Sequence, residues 1–232
     1  MQQLHYHIID TNVYAKINGA GHNYDKELPV YLGIIAKNIK TYIALIETNN
    51  QRRKPFFKEL LLQIYITKNH WCNHTVRYEK PPKIKEAFNA FFDQIILLMK
   101  TIEKTKKALH IEKKFLRSTK YIGLLHREIG YPHNKKVPKD FKLELKYDNS
   151  FCSWNANADV HKISRMREGD KYNIRITAKS MDNNYGFYIT GFNRFFNKVF
   201  SKKYGNIHNE DEVVFKMQKE CVISTEKIFL NI

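Results

Sequence analysis

Residues 84–116 read IKEAFNAFFDQIILLMKTIEKTKKALHIEKKFL, and this stretch decides the fold class because its periodicity is helical. Its apolar residues recur at steps of three and four, with a gap near Thr105, while lysines occupy another face. We therefore predict a long amphipathic helix, or a hairpin of two helices, with one strongly basic side. The apolar positions are Phe88, Phe91, Ile95, Leu98, Ile102 and Leu109, and the lysines are Lys100, Lys104, Lys107 and Lys114.

The region before this segment has strand-like patterns. Leu4–Val13 is a predicted strand, and VYLGIIA (30–36) with KTYIALIE (40–47) predicts a hairpin turning at Lys37–Ile39. Phe56–Lys68 predicts a short helix running into a strand. The region after it returns to a period of two, with predicted strands at Phe141–Tyr147, Tyr172–Ala178, Tyr185–Gly191 and Glu212–Ile223.

A second basic amphipathic helix is predicted between the last two strands, in FNRFFNKVFSKKYG (192–205). One face is apolar and the other holds cations. The fold class is therefore α+β, with antiparallel sheets flanking a long basic helical segment. We divide the chain into a strand-rich part (1–78), the basic helical segment (79–130) and a β-rich part (131–232), which together are compatible with one compact domain.

The charge of the chain identifies its partner class. The formal net charge is +17 and the aromatic residues include 14 Tyr and 15 Phe. Cations attract phosphate polyanions and aromatic faces stack on unpaired bases, so nucleic acid is the expected partner, with RNA favoured over DNA. The predicted phosphate contacts are Arg52, Arg53, Lys54, Lys100, Lys104, Lys107, Lys114, Arg194, Lys198, Lys202 and Lys203.

The expected compartment is the cytoplasm. The three cysteines are far apart and form no CxxC pair, which is typical of a chain without a disulfide framework. No leader-like N-terminus and no apolar run long enough to span a bilayer are present, so no membrane association is expected.

Two kinds of RNA cleavage suit this composition. Metal-free cleavage uses the RNA 2′-OH as nucleophile, together with a general base, a general acid and cations. His5 and His7 are two apart on a predicted strand and would share one face, so we assign them as catalytic candidates with no cofactor.

Metal-dependent cleavage is the alternative, and it needs carboxylates that converge on Mg²⁺. Asp10 and Glu47 end predicted strands, and Asp159 opens ADVHKISRM. An Asp ending the first strand, a later Glu and a late helical Asp resemble the order of these groups in PIN-type and RNase H-like nucleases. This reading would make all three residues ligands of Mg²⁺.

The stretches HYHIIDTNVYAKI (5–17) and YDKELPVYLGIIAKNIKTYIALIETNNQRRK (24–54) resemble the opening of the ToxN/AbiQ endoribonuclease toxins of type III toxin–antitoxin systems. The matching residues are Ile9, Asp10, Tyr14, Tyr31, Gly33, Ile34, Ile35 and Tyr42. Where that family has two serines and a lysine, this chain has Glu47 and Thr48, followed by Arg52–Lys54. The resemblance implies that Thr48 supplies a catalytic hydroxyl and Arg52–Lys54 a cation.

Residues 160–190, in VHKISRM and AKSMDNNYGFYI, are similar to late strands of the CRISPR Cas6-type ribonucleases. Both resemblances imply a small basic ribonuclease of antiviral defence that recognises structured RNA. We therefore expect an RNA-binding, metal-independent endoribonuclease with His5, His7 and Thr48 as its catalytic residues. The alternative is a non-catalytic RNA- or DNA-binding subunit with protein partners in a nucleoprotein complex. A metal-dependent nuclease is the third possibility.

Overall fold

The structure, a computed structural model, describes residues 24–75, 82–132, 150–158, 170–201 and 211–229. The chain divides into two compact units, residues 1–117 and residues 118–232. The described part of unit 1 is helical, and the described part of unit 2 is a sheet with one long helix. The fold is therefore α+β with an antiparallel sheet, as the sequence predicts.

Helices build the described part of unit 1. Their bounds are α1 (Tyr24–Glu47), α2 (Arg53–Thr75), α3 (Pro82–Lys104) and α4 (His110–Thr119), the last of which leads into unit 2. Helix α1 packs mainly against α3 and also against α2. Aromatic rings join three of the helices, since Phe57 of α2 stacks on Tyr42 of α1 at 5.0 Å and meets the edge of Phe115 of α4 at 5.6 Å, both between ring centroids.

The hairpin predicted for residues 30–47 is wrong, because these residues form one continuous helix. Buried positions recur at helical spacing from Leu28 to Ile46, while Gly33, Lys37 and Lys40 are exposed on the opposite face. Helix α1 is buried against two neighbouring helices, so apolar residues occupy more of its circumference and its sequence contains two nearly continuous apolar runs. Residues 56–68 are also helical throughout, and the predicted strand at 4–13 lies outside the described residues.

The helical segment predicted from residues 84–116 is confirmed as two helices, α3 and α4. The gap near Thr105 corresponds to a non-helical linker of residues 105–109. Phe88, Phe91 and Ile95 are fully buried in α3, as the periodicity predicts. This linker carries Lys106 and Lys107 and becomes the centre of the candidate site.

Unit 2 contains a seven-stranded antiparallel sheet with the order β1-β5-β6-β3-β2-β4-β7. The strands are β1 (Lys120–Tyr121), β2 (Gly123–Pro132), β3 (Phe151–Asn155), β4 (Asp170–Ser180), β5 (Gly186–Tyr188), β6 (Glu212–Lys216) and β7 (Val222–Phe229). Paired residues Leu125 with Ala178, and Trp154 with Val213, contribute to one buried apolar cluster.

Helix α5 (Ile189–Phe200) follows β5 directly. Its buried residues include Phe192, Phe195 and Phe196, which confirms the predicted apolar face. The strand predicted for 172–178 lies within β4, whereas the one predicted for 185–191 ends at Tyr188, where α5 begins. The strand predicted for 212–223 is interrupted after Lys216, and the one predicted for 141–147 lies outside the described residues.

Among the described residues, no helix is both long and apolar enough to cross a lipid bilayer.

Candidate nucleic-acid interface

A buried arginine attaches the start of α2 to the linker between α3 and α4. Arg53 is the first residue of α2, and its Nη2 atom donates a hydrogen bond to the backbone carbonyl of Lys107. Arg53 and Lys107 are 54 positions apart in the chain. This contact brings the basic stretch 52–54 next to the basic stretch 104–107, which the sequence leaves far apart.

The guanidinium of Arg53 is held by a buried carboxylate. Its Nε atom lies 3.5 Å from Oε1 of Glu112, and the two side chains are 4% and 0% exposed. The Tyr42 hydroxyl donates a 2.5 Å hydrogen bond to the same oxygen. Burial, and then the hydrogen bond to Glu112, raise the pKa of Tyr42 far above its ordinary value, so this hydroxyl remains a donor.

Glu112 also binds the backbone at the C-terminal end of the linker. Its Oε2 atom accepts a 2.6 Å hydrogen bond from the backbone N–H of Leu109, the residue that precedes α4. A carboxylate at the third helical position that reaches back in this way satisfies a donor that the helix leaves free. The position also favours a negative charge, since the N-terminus of a helix carries partial positive charge.

The start of α2 adds to the positive potential at this end of unit 1. The Asn50 side chain accepts a 2.9 Å hydrogen bond from the Arg52 N–H, which orders the turn before the helix. The first turn of α2 contains no acidic residue, while Arg52 and Lys54 are exposed. The partial positive charge of the helix N-terminus therefore adds to two exposed cations.

We call the exposed cations around the linker the basic end. They lie just before and at the start of α2, at the end of α3, on the linker and at the start of α4. The members are Arg52, Lys54, Lys104, Lys106, Lys107, Lys113 and Lys114, and all are exposed. Two acidic residues occur between 100 and 114, but Glu112 is buried, which leaves Glu103 as the exposed one.

The structure changes the roles of two predicted phosphate contacts. Arg53 is buried and its Nε and Nη2 atoms are used inside unit 1, so it cannot serve as an exposed phosphate contact. Lys100 is half-buried one turn before the end of α3. Lys106 and Lys113 are not among the phosphate contacts predicted from sequence. Lys106 joins the basic end because it is exposed on the linker, and Lys113 because it is exposed in the first turns of α4.

Two of the residues predicted for catalysis or metal binding are described, Glu47 and Thr48. They lie at the end of α1 and directly after it. Thr48 is exposed, and its hydroxyl donates a 2.8 Å hydrogen bond to the Ala44 carbonyl. Glu47 is the last residue of α1, not the end of a strand as predicted, and it is exposed. His5, His7, Asp10 and Asp159 lie outside the described residues. Within the described ranges, no three His, Cys, Asp or Glu side chains are grouped as they would be around a metal ion.

Unit 2 has its own exposed cations on α5. Arg194 and Lys198 are exposed on the face opposite the buried phenylalanines, as predicted. Lys202 and Lys203 lie outside the described residues. The described part of α5 thus presents two predicted phosphate contacts, compared with seven cations at the basic end.

The aromatic residues serve mainly as core. Among the described side chains, every phenylalanine except Phe200 is buried. The exposed large apolar side chains in the same ranges are aliphatic or methionine, such as Leu124 and Met181. The described phenylalanines therefore support packing rather than base stacking, and charge is what this surface mainly offers to a nucleic acid.

Comparisons of this chain with protein-family models, with curated proteins and with solved structures gave no match.

Proposed function

We propose that the protein binds RNA through the basic end. The observation that carries this proposal is the hydrogen bond from Arg53 to the Lys107 carbonyl, which gathers two distant basic stretches around one linker. Seven exposed cations lie there, compared with one exposed acid, Glu103, in the 100–114 segment and one, Glu47, at the end of α1. A surface of this kind neutralises backbone phosphates and releases their counterions.

The contacts that we propose are to phosphates rather than to bases. Lysine and arginine side chains at the basic end supply charge, while no described phenylalanine, tyrosine or tryptophan side chain is exposed. Phosphate contacts position a nucleic acid without reading its sequence. RNA is the favoured partner because of the toxin-like and CRISPR-like stretches, and DNA is the comparison that the experiment must include.

The experiment compares two double variants with equal net charge. Lys106→Glu/Lys107→Glu changes the basic end, whereas Lys37→Glu/Lys83→Glu changes exposed lysines in the middle of α1 and at the start of α3. Binding of fluorescein-labelled mixed-sequence RNA is measured by anisotropy at several salt concentrations, with single- and double-stranded DNA of the same sequence. Thermal unfolding of each variant shows that the fold is retained.

We expect the basic-end variant to bind RNA about tenfold more weakly or worse, because two lysines are replaced by glutamates that repel phosphates. The control variant should lose much less affinity. Equal losses in both variants would show that net charge acts without a defined surface. A flat salt response in the parent protein would exclude phosphate binding. Equal affinity for DNA would broaden the partner class to nucleic acids in general.

We further propose metal-independent RNA cleavage as the activity, with His5, His7 and Thr48 as catalytic residues. Support comes from Thr48, which lies five residues before α2 begins and thus near Arg52 and Lys54 of the basic end. Cleavage of labelled RNA in EDTA, and its loss in His7→Ala and Thr48→Ala with binding retained, is the expected result. DNA should not be cleaved, because it lacks the 2′-OH nucleophile.

Each alternative has its own outcome in this assay. Cleavage that requires Mg²⁺ and is lost in Asp10→Asn, Glu47→Gln or Asp159→Asn would establish the metal-dependent mechanism. RNA binding without cleavage in either condition would establish a non-catalytic subunit of a nucleoprotein complex.

A further inference from the structure

The buried Arg53 side chain contacts the linker that carries two of the exposed lysines. We propose that Arg53, Glu112 and Tyr42 are positioning residues that hold the 105–109 linker in an RNA-binding conformation. This inference rests on the proposed function, and it assigns roles to three side chains that do not touch RNA themselves.

The linker is held at two backbone groups. The Lys107 carbonyl accepts a hydrogen bond from Arg53, and the Leu109 N–H donates one to Glu112 at 2.6 Å. Arg53 and Glu112 also contact each other, with 3.5 Å between Nε and Oε1. The two fixed backbone groups are thus bound by the two partners of a single buried ion pair, and they lie on either side of Ala108.

Tyr42 limits the freedom of that ion pair. Its hydroxyl donates to Glu112 Oε1 at 2.5 Å, and its ring stacks on Phe57 at 5.0 Å between centroids. The ring is fully buried, so the hydroxyl has little freedom to move away from the carboxylate. Tyr42 therefore fixes the rotamer in which Glu112 reaches both Arg53 and Leu109.

The two lysine side chains of the linker are exposed to solvent. Lys106 and Lys107 are exposed, although the carbonyl of Lys107 is bound by the buried Arg53. A linker held in one conformation loses less entropy when RNA binds than a linker with many conformations. The backbone positions from which the two lysine side chains extend are then set before RNA arrives.

A double-mutant cycle tests the inference. Arg53→Lys keeps the positive charge but removes the planar guanidinium that reaches both Glu112 and the Lys107 carbonyl. RNA affinity is measured for the parent, for Arg53→Lys, for Lys106→Ala/Lys107→Ala and for the triple variant. Tyr42→Phe is measured beside Arg53→Lys, because it removes a single hydroxyl and retains the ring.

We expect Arg53→Lys to weaken RNA binding by about fivefold, and the lysine substitutions to have at most about a twofold further effect in that background. In the parent background the same lysine substitutions should cost about tenfold, since two phosphate contacts are lost. Tyr42→Phe should shift affinity in the same direction by a smaller factor. Exchange of the Leu109 amide hydrogen should become faster in both variants.

Ile84→Val is the control for stability. Ile84 is fully buried at the start of α3, about 30 Å along the helix from Lys104. This variant should lower the unfolding temperature while leaving RNA affinity within about twofold and the lysine effect unchanged.

The outcomes separate the inference from the proposed function. RNA binding that depends on Lys106 and Lys107 equally in the parent and in Arg53→Lys would overturn the inference and retain the function. A loss of affinity in Ile84→Val equal to that in Arg53→Lys would assign the effect to stability and overturn the inference. A parent protein that does not bind RNA would overturn both.

Discussion

The Tyr188 hydroxyl, at the end of β5, donates a 2.6 Å hydrogen bond to Oδ1 of Asp211, the residue before β6. The backbone carbonyl of Asp211 also accepts a 2.8 Å hydrogen bond from the Ala156 N–H, which follows β3. One residue therefore connects the ends of three neighbouring strands in unit 2. The Tyr121 ring lies beside Tyr188, with 5.7 Å between the ring centroids.

This contact predicts how stability changes in alkaline solution. Burial, followed by the hydrogen bond to Asp211, raises the pKa of Tyr188 from 10.0 to about 12. In the unfolded chain the group ionises near its ordinary pKa, so its contribution to stability is complete below about pH 10. We expect that contribution to disappear as the pH rises from about 10 to about 12. Urea unfolding at several pH values measures it.

The Tyr188→Phe variant serves as the reference for that titration. Absorbance at 295 nm follows tyrosinate formation, and the parent-minus-variant difference isolates the missing phenol. We expect that difference to rise near pH 12, with circular dichroism on the same samples to follow the fold. A difference that rises near pH 10 instead would contradict the raised pKa.

Two glycine-to-alanine substitutions should change the free energy of unfolding in opposite directions. A Cβ atom at Gly191, in the first turn of α5, would lie 1.9 Å from the Ser118 carbonyl oxygen, whereas one at Gly33 in α1 would meet nothing within 4 Å. We expect Gly191→Ala to lower the free energy of unfolding by about 2 kcal/mol or more. Gly33→Ala should raise it by about 0.5–1 kcal/mol, because alanine favours a helix.

Urea unfolding with circular dichroism detection checks both substitutions. The Gly33 variant also tests the helical assignment of residues 30–47, since helix propensity favours alanine there. A destabilised Gly33→Ala protein would count against a continuous α1 with an exposed Gly33.

The ion pair of Arg53 and Glu112 predicts a large loss of stability when one partner is removed. Glu112→Ala leaves a buried guanidinium without its counter-charge, so we expect the free energy of unfolding of unit 1 to fall by about 3–5 kcal/mol. Tyr42→Phe removes one neutral donor and should cost about 1–2 kcal/mol. Helical circular dichroism during urea unfolding reports both changes.

The matched control for this prediction is an exposed ion pair. Lys120 and Asp182 are 2.8 Å apart, but the Asp182 side chain is 85% exposed. Asp182→Asn should therefore change stability by less than about 0.5 kcal/mol. Similar losses of stability in Glu112→Ala and Asp182→Asn would show that burial does not determine how much these ion pairs contribute.

The salt dependence of RNA binding gives a count of phosphate contacts. Each phosphate neutralised on a single strand contributes about 0.7 to the slope of log affinity against log salt. Lys104→Ala should reduce that slope by about this amount, whereas Lys83→Ala, at the other end of α3, should leave it unchanged. Anisotropy titrations at four or more salt concentrations are sufficient, and equal slopes in all three proteins would exclude a contact from Lys104.

The helical period of residues 84–116 could be read from sequence because α3 and α4 each have one buried face. The break near Thr105 was also visible, since the apolar spacing stops there. In α1 the same reasoning failed. Its residues from Tyr31 to Tyr42 are rich in β-branched and aromatic side chains, which favour strands, and packing against two helices overrides that preference.

The contacts of the candidate site could not be predicted from sequence. Arg53 and Lys107 are distant in the chain, and only tertiary packing places a buried guanidinium beside the linker carbonyl. Arg53 also looks like Arg52 and Lys54 in a run of three cations, yet it alone is buried. A weak local signal existed for Glu112, an acidic residue in the first turn of α4, where helix N-termini favour carboxylates.

The linker separates the bonds that maintain the fold from the groups available to a partner. The buried side chains of Arg53 and Glu112 bind its backbone at Lys107 and Leu109, while its lysine side chains extend into solvent. Substitutions of the Lys106 and Lys107 side chains therefore leave the hydrogen bonds to the linker backbone intact. Over evolutionary time, the charge and specificity of this surface can change by substitution of exposed residues, with no accompanying change in the interior of unit 1.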